Sequence, residues 1–121
     1  MIPLDTFDMP GFLARFAMFS AMTTVERQRM SNACLVQTMS RGDMIYRTGD
    51  PCEAFHLVVT GEVKLYVSST SGQEKVIEIA CGGQSFGEGL IFMDKPYILN
   101  AQALTDVVLV YVSKRAVFHE I

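Results

Sequence analysis

The chain has no tryptophan, two histidines and three cysteines among its 121 residues. Each shortage closes off a class of function. Cys34, Cys52 and Cys81 are widely spread and show no CxxC spacing. That pattern supports neither a disulfide framework nor a zinc knuckle. Iron–sulfur clusters usually take four thiolates, so the three read as ordinary buried or free thiols. His56 and His119 are far apart and form no HxH, so a cupin-type metal centre has too few ligands. There is no GxSxG elbow and no P-loop, and a non-catalytic protein is expected. No apolar run approaches the ~18 residues of a membrane span. Met1 to Phe19 holds acidic residues and an early Pro3 rather than a basic start and a pure apolar stretch, so it does not read as a secretory signal. A cytoplasmic protein is expected. Charge is also scarce, at 19% of residues with a formal net of −3. This segment therefore lacks the basic stripe of a nucleic-acid binder.

Half of the residues are apolar, enough to bury a core, and the length suits one domain. Eight methionines fit either plastic core filling or an adaptable apolar pocket. The first third reads as helical. Phe12, Leu13, Phe16 and Ala17 fall at helical spacing over Pro10 to Met18, with Pro10 suited to a first turn. Thr23 and Glu26 form a capping box for a helix running to Asn32 or Cys34, with Val25, Met30 and Ala33 as inward positions.

The rhythm then changes. Short β-rich segments (35–39, 44–47, 55–60, 63–68, 75–80, 97–104 and 107–112) alternate with Gly-, Asp- and Pro-containing turns. Val63 to Ser68 alternates cleanly, and Ser68 to Gln73 is a polar hairpin tip. Val107 to Val112 is almost wholly apolar, as in a strand buried on both faces. No helix-length gap separates the strands before Gly87 to Met93, so the sheets are expected to be antiparallel. Ser113 opens a last helix, 114–121, that is either short or continues past the residues given.

Three stretches in order carry a family resemblance. Arg41-Gly42-Asp43-Met44-Ile45-Tyr46-Arg47-Thr48-Gly49-Asp50, then Phe55 to Tyr66, then Ser85-Phe86-Gly87-Glu88 resemble the signatures of cyclic-nucleotide-binding-like domains. With the helical start, the order of parts resembles the sensor domain of CRP/FNR-type bacterial transcription regulators. The resemblance implies a mainly β fold: a double-stranded β-helix, or jelly roll, with N-terminal helices and the start of a C-terminal helix. It divides one sensor domain, 1–121, into a helical N-terminus (about 1–34), a β-roll (about 35–113) and the start of a dimerisation helix (about 114–121). It also implies a small-molecule effector, a homodimer in the full-length protein, and DNA contact only through a helix-turn-helix domain absent from this chain.

The implied ligand pocket is the cassette Phe86, Gly87, Glu88, Gly89 and Leu90 together with Leu99, Asn100 and Ala101. A cyclic phosphodiester is held by convergent backbone N–H groups and an arginine fork. The family pattern places Arg-Ser or Arg-Thr before the small residue on the following strand. Aligning on Ala101 puts Leu99 at the arginine and Asn100 at the hydroxyl; a one-residue shift brings in Ile98. Tight cAMP binding is therefore not expected. Lys95 is either a solvated loop residue or a replacement cation, and Glu88 either binds turn amides or faces the ligand. The pieces 72–79, 92–97 and 101–103 are similar to the Dnr-type, nitric-oxide-responsive branch, which implies haem in an apolar pocket. That branch's histidine pair aligns with Phe16 and Ala17. His56 reads as structural, which leaves His119 as the haem-ligand candidate ahead of Met18 and Cys34. The alternatives are a nucleotide module with a non-standard cation and a structural dimerisation module with a vestigial pocket.

Overall fold

The computed structural model describes residues 7–91 and 93–120. Phe92 of the Leu90–Met93 run and Ile121 of the last helix lie outside the described residues. Three helices, α1 (Met9–Leu13), α2 (Ala17–Ser20) and α3 (Thr24–Ala33), precede eight strands. The strands are β1 (Cys34–Met39), β2 (Met44–Tyr46), β3 (Ala54–Thr60), β4 (Glu62–Ser68), β5 (Glu74–Cys81), β6 (Ser85–Phe86), β7 (Asn100–Ala103) and β8 (Val107–Ser113). A one-turn helix α4 (Glu88–Ile91) interrupts the roll and α5 (Lys114–Glu120) follows it. The strands form two four-stranded antiparallel sheets, ordered β1-β8-β3-β6 and β2-β7-β4-β5. The mainly β jelly roll with flanking helices is the architecture expected.

The helical start differs from the single Pro10–Met18 segment. Asp8 caps α1 by accepting from the Gly11 amide, and Phe16 is extended at φ −101°, ψ 135°, which ends the helical run. The break lets three rings find cover. Phe12 meets Phe16 edge-on at 5.1 Å, and Phe19 stacks on Phe55 of β3 at 6.3 Å. The capping box is present: Glu26 N donates to Thr23 Oγ1 at 3.2 Å and Thr23 N donates to Glu26 Oε1 at 2.8 Å. Arg27 Nη1 reaches back to the carbonyls of Phe19, Ser20 and Met22, serving the open end of α2. Of the inward positions expected on α3, only Met30 is buried, whereas Val25 and Ala33 are exposed. The helix is polar on most sides and packs by one narrow stripe against α1 and α5.

β3 and β8 are covered on both faces. Phe55 and Leu57 face the helices. His56 faces Tyr46 of the other sheet. Val107 to Val110 are all buried, as their apolar run predicts. The 97–104 segment is shorter as a strand than its sequence suggests, because Tyr97 is drawn elsewhere. Its amide donates to Asp50 O, its carbonyl accepts from Gly49 N, and its hydroxyl donates to Ala54 O. Those bonds tie the residue to the β2–β3 connection, so pairing resumes only at Asn100. The hairpin tip is closed by Ser69 N donating to Gln73 O and Gln73 N to Ser69 Oγ. Beyond it Val76 and Ile77 stand half exposed. Cys34 and Cys52 are buried, Cys81 is exposed, and all three are unpaired.

Gly61 sits in the tight β3–β4 turn at φ +93°. A Cβ there would lie 2.5 Å from the Asp106 carbonyl oxygen and 2.6 Å from Val107 Cγ1. Gly61→Ala is expected to destabilise the domain by roughly 1–3 kcal/mol, read as a lower urea midpoint with an unchanged slope. An unchanged midpoint would mean that this turn is free to move away from Thr105–Val107.

Candidate functional site

The cassette begins where β6 pairs with β3. His56 stands opposite Phe86 in that pair and opposite Tyr111 on the β8 side. Cross-strand neighbours share a face, and the three form a ring ladder. His56 stacks on Phe86 at 5.2 Å and meets Tyr111 edge-on at 5.6 Å. The ladder fixes Phe86, and the chain then reverses at Gly87, φ +84°, a left-handed conformation that favours glycine. α4 starts at once with Glu88. The Glu88 carboxylate accepts from Ser85 Oγ at 3.1 Å, a serine hydroxyl rather than a turn amide.

A cavity of about 360 Å3 opens over this turn. Phe86, Gly87, Glu88, Gly89, Leu90 and Leu99 all line it, so the structure gathers six of the eight sequence-derived pocket residues. Asn100 and Ala101 do not line it. Asn100 Oδ1 accepts from Thr48 N at 2.9 Å, and its amide nitrogen contacts Tyr66 O at 3.5 Å. That side chain is committed to joining β7 to its neighbours. Ala101 is fully buried, opposite Tyr46 on one side and Leu65 on the other. The wall also contains Tyr46, Leu65, Glu78, Met93 and Ile98. Sequence reading had not assigned Tyr46, Leu65 or Glu78 to the pocket. The alternation along β4 turns Leu65 inward, and the β4–β5 register sets Glu78 directly opposite it. Strand alternation plus hairpin register was the signal for both.

The electrostatics of this cavity are one-sided. Among the described residues its lining holds two carboxylates, Glu78 and Glu88, and no lysine, arginine or histidine. Lys95 lies on a different surface depression, with Gly49, Pro51 and Lys114, so it does not supply the missing cation. Lys114 pairs with Asp94 at 3.0 Å.

The donors considered for haem do not converge either. His119 is exposed on α5 and lines none of the cavities described here. Met18 borders another, mainly apolar cavity of about 230 Å3 between α2 and β3, which shares Ser85 and Glu88 with the cassette cavity. Cys34 is buried, and burial pushes its thiol up to about 12, which disfavours the thiolate that binds metal. At the cassette wall the available donors are the Met93 thioether and the Tyr46 phenol. Tyr46 is stacked face to face on Tyr97 at 3.6 Å. Among the described residues, none of His119, Met18 and Cys34 lines the cassette cavity.

Residues 36–121 match the family described as "Cyclic nucleotide-binding domain". Among curated proteins, a cAMP-dependent protein kinase regulatory subunit from Hypocrea atroviridis is 31% identical over 106 residues. That match covers 88% of this chain and 22% of the relative, so the chain spans about a fifth of that protein's length. Among solved structures, the sensor domain of the transcriptional regulator DNR from Pseudomonas aeruginosa superposes with a TM-score of 0.86 at 29% identity. That match covers 91% of this chain and 74% of that one. The N-terminal domain of a transcriptional regulator from Streptomyces coelicolor A3(2) gives a TM-score of 0.80 at 26% identity, covering 90% of this chain and 76% of that one.

His56 is 4% exposed, and burial lowers its pKa from 6.5 to about 4. The folded imidazole therefore stays neutral while the unfolded one takes up a proton as the pH falls below about 6.5. Stability is expected to be undiminished by this group above that pH and to fall between about 6.5 and 4, by roughly 3 kcal/mol in total. Urea unfolding across this range, compared with His56→Phe, checks it. An equally steep loss in the variant would assign the acid sensitivity to other groups.

Proposed function

This chain belongs to the cyclic nucleotide-binding domain family, and from that premise we propose that it is a small-molecule-sensing regulatory domain whose effector is not a tightly held cyclic nucleotide. One observation carries the reading. The cassette cavity, which in such a domain would receive an anionic phosphodiester, offers two carboxylates and no cation among its described lining residues. A hydrogen bond to a charged group contributes roughly 1.5–3 kcal/mol, so its loss weakens binding by ~10- to 150-fold. Leu99 on the wall adds desolvation of the phosphate without compensation. The wall instead favours a ligand with an apolar body and no negative charge.

The larger protein we take to be a CRP/FNR-type bacterial transcription regulator. The likeness to the DNR sensor domain, in fold and at 29% identity, supports this. In that reading the regulator is a cytoplasmic homodimer, and DNA is contacted by a separate domain, consistent with the net charge of −3 here. The kinase regulatory subunit at 31% identity favours a second reading, a module of a cAMP-responsive kinase regulator. That role requires the nucleotide, so the same titration separates the two. Haem is a competing proposal for the effector site and is read in parallel.

Calorimetric titration with cAMP and cGMP, with a haemin titration followed by absorbance, tests the reading. The unaltered chain is expected to bind either nucleotide weakly. Leu99→Arg, which returns a cation to the wall, is expected to tighten cAMP by roughly 10- to 150-fold. About micromolar nucleotide binding by the unaltered chain would overturn the proposal and support the kinase-regulator reading. Saturation by one haemin per chain would support haem instead.

A further inference from the structure

The cassette cavity does not end at its own turn. Ser85 and Glu88 line both it and the cavity of about 230 Å3 beneath α2, so their side chains stand on the boundary between the two. Both residues are half-buried. The boundary is held by one bond, from Ser85 Oγ to Glu88 Oε1 at 3.1 Å. Among the described residues neither side chain makes another hydrogen bond or ion pair, so Glu88 Oε2 is left free to accept. The wall beyond the boundary is apolar. Phe16, Ala17, Met18 and Phe19 line it from the α2 side, and Phe55 and Leu57 line it from β3. Among the described residues no lysine, arginine or histidine lines either cavity. The α2 cavity alone is smaller than an ordinary ligand pocket of ~300–1,000 Å3. The cassette cavity, at about 360 Å3, lies near the lower end of that range. Taken end to end, the two suit one elongated molecule.

The chemistry of a fitting ligand follows from the two walls. Six apolar side chains under α2 receive an alkyl tail, and each methylene moved there from water adds to binding. A carboxylate accepts hydrogen bonds and donates none, so the head that meets Glu88 must carry an N–H or O–H. Glu78 and Glu88 on the cassette wall oppose a negatively charged head. A boundary made by two side chains that share a hydrogen bond admits a thin chain more readily than a ring. We propose that the two cavities are lobes of one site, which takes a neutral straight-chain amphiphile, a primary amide or alcohol, with its head donating to Glu88 and its alkyl tail lying beside Phe55 under α2. The proposal rests on the cassette reading above and adds to it the class of the effector.

A length and charge series tests it. Butanamide, hexanamide, octanamide and octanoate are titrated at neutral pH into the 15N-labelled chain, with backbone amides followed by NMR. Octanamide is expected to shift Gly87 and Leu99 on the cassette side and Ala17 and Phe55 on the α2 side along one saturation curve. Affinity is expected to rise ~4-fold per added methylene from butanamide to octanamide, with octanoate silent. Ala17→Leu is a change at an exposed position on the wall of the α2 lobe. It is expected to weaken octanamide by ~10-fold or more and butanamide much less. Glu88→Ala removes the acceptor and is expected to weaken all the amides alike, by ~10-fold or more. If either variant does not fold, the length series and the saturation curves of the unaltered chain decide alone. Shifts confined to one lobe, two separate curves, affinity that does not depend on chain length, or octanoate binding as tightly as octanamide would each overturn the proposal. Shifts confined to Gly87 and Leu99 leave the cassette reading standing, whereas micromolar cAMP binding overturns that reading whatever the amides do.

Discussion

The face-to-face contact of Tyr46 and Tyr97 is the constraint on which the cassette cavity depends. The rings stack at 3.6 Å and 6°, and the Tyr97 hydroxyl donates to the Ala54 carbonyl. With the backbone bonds to Gly49 and Asp50, this one residue fastens the loop after α4 to β2 of one sheet and β3 of the other. Both phenols are raised above their ordinary pKa chiefly by burial, so the contact is between neutral rings. Fixing the loop here sets where Ile98 and Leu99 emerge, and hence the lip of the cassette cavity. The pair also lines a second cavity, of about 270 Å3, together with His56 and Tyr111. The polar tip of Tyr97 finds its partner in a backbone carbonyl, as a buried tyrosine hydroxyl usually must.

In the proposed reading, the cassette keeps the shape of a phosphate-binding turn while changing what it favours. The reversal at Gly87, the short helix and the flanking ring ladder are all in place. What differs is the charge of the wall, where Leu99 stands in place of a cation. Asn100, adjacent to the altered position, is tied to Thr48 and Tyr66 and is not free to turn toward a ligand. Shape here comes from backbone hydrogen bonds and apolar packing, which tolerate the loss of a cation. Ligand preference comes from a few side chains at the lip, which packing does not constrain. The matched family therefore gives the geometry of the pocket more securely than the identity of the effector.

Much of the architecture was legible because it rests on local rules. The capping box at Thr23 and Glu26, the polar tip at Ser69 to Gln73 and the apolar run of β8 each follow from nearby residues. The misjudged segments share one cause. Phe16 breaks the first helix so that Phe19 can reach Phe55, and Tyr97 leaves the β7 run to meet Tyr46, a residue 51 positions earlier. Val25 satisfies helical spacing, yet the roll offers α3 only a narrow contact. In each case a distant partner outweighed a local preference.

The same division holds for the site. The sequence by itself determined the antiparallel roll, the turn at Gly87 and the absence of a cation at Leu99, since these depend on residue type and short-range order. Through the family resemblance it also named six residues of the cassette wall: five follow one another from Phe86 to Leu90, and Leu99 comes from aligning on Ala101. Only the tertiary structure decided that Glu78 faces that cavity, that Lys95 does not, that His119 stands clear of it, and that His56 carries a buried nitrogen with no partner among the described residues. Those facts depend on how two sheets close over each other and on which side chains meet across the gap. That closure is set by long-range packing, which spacing along one chain does not encode in readable form.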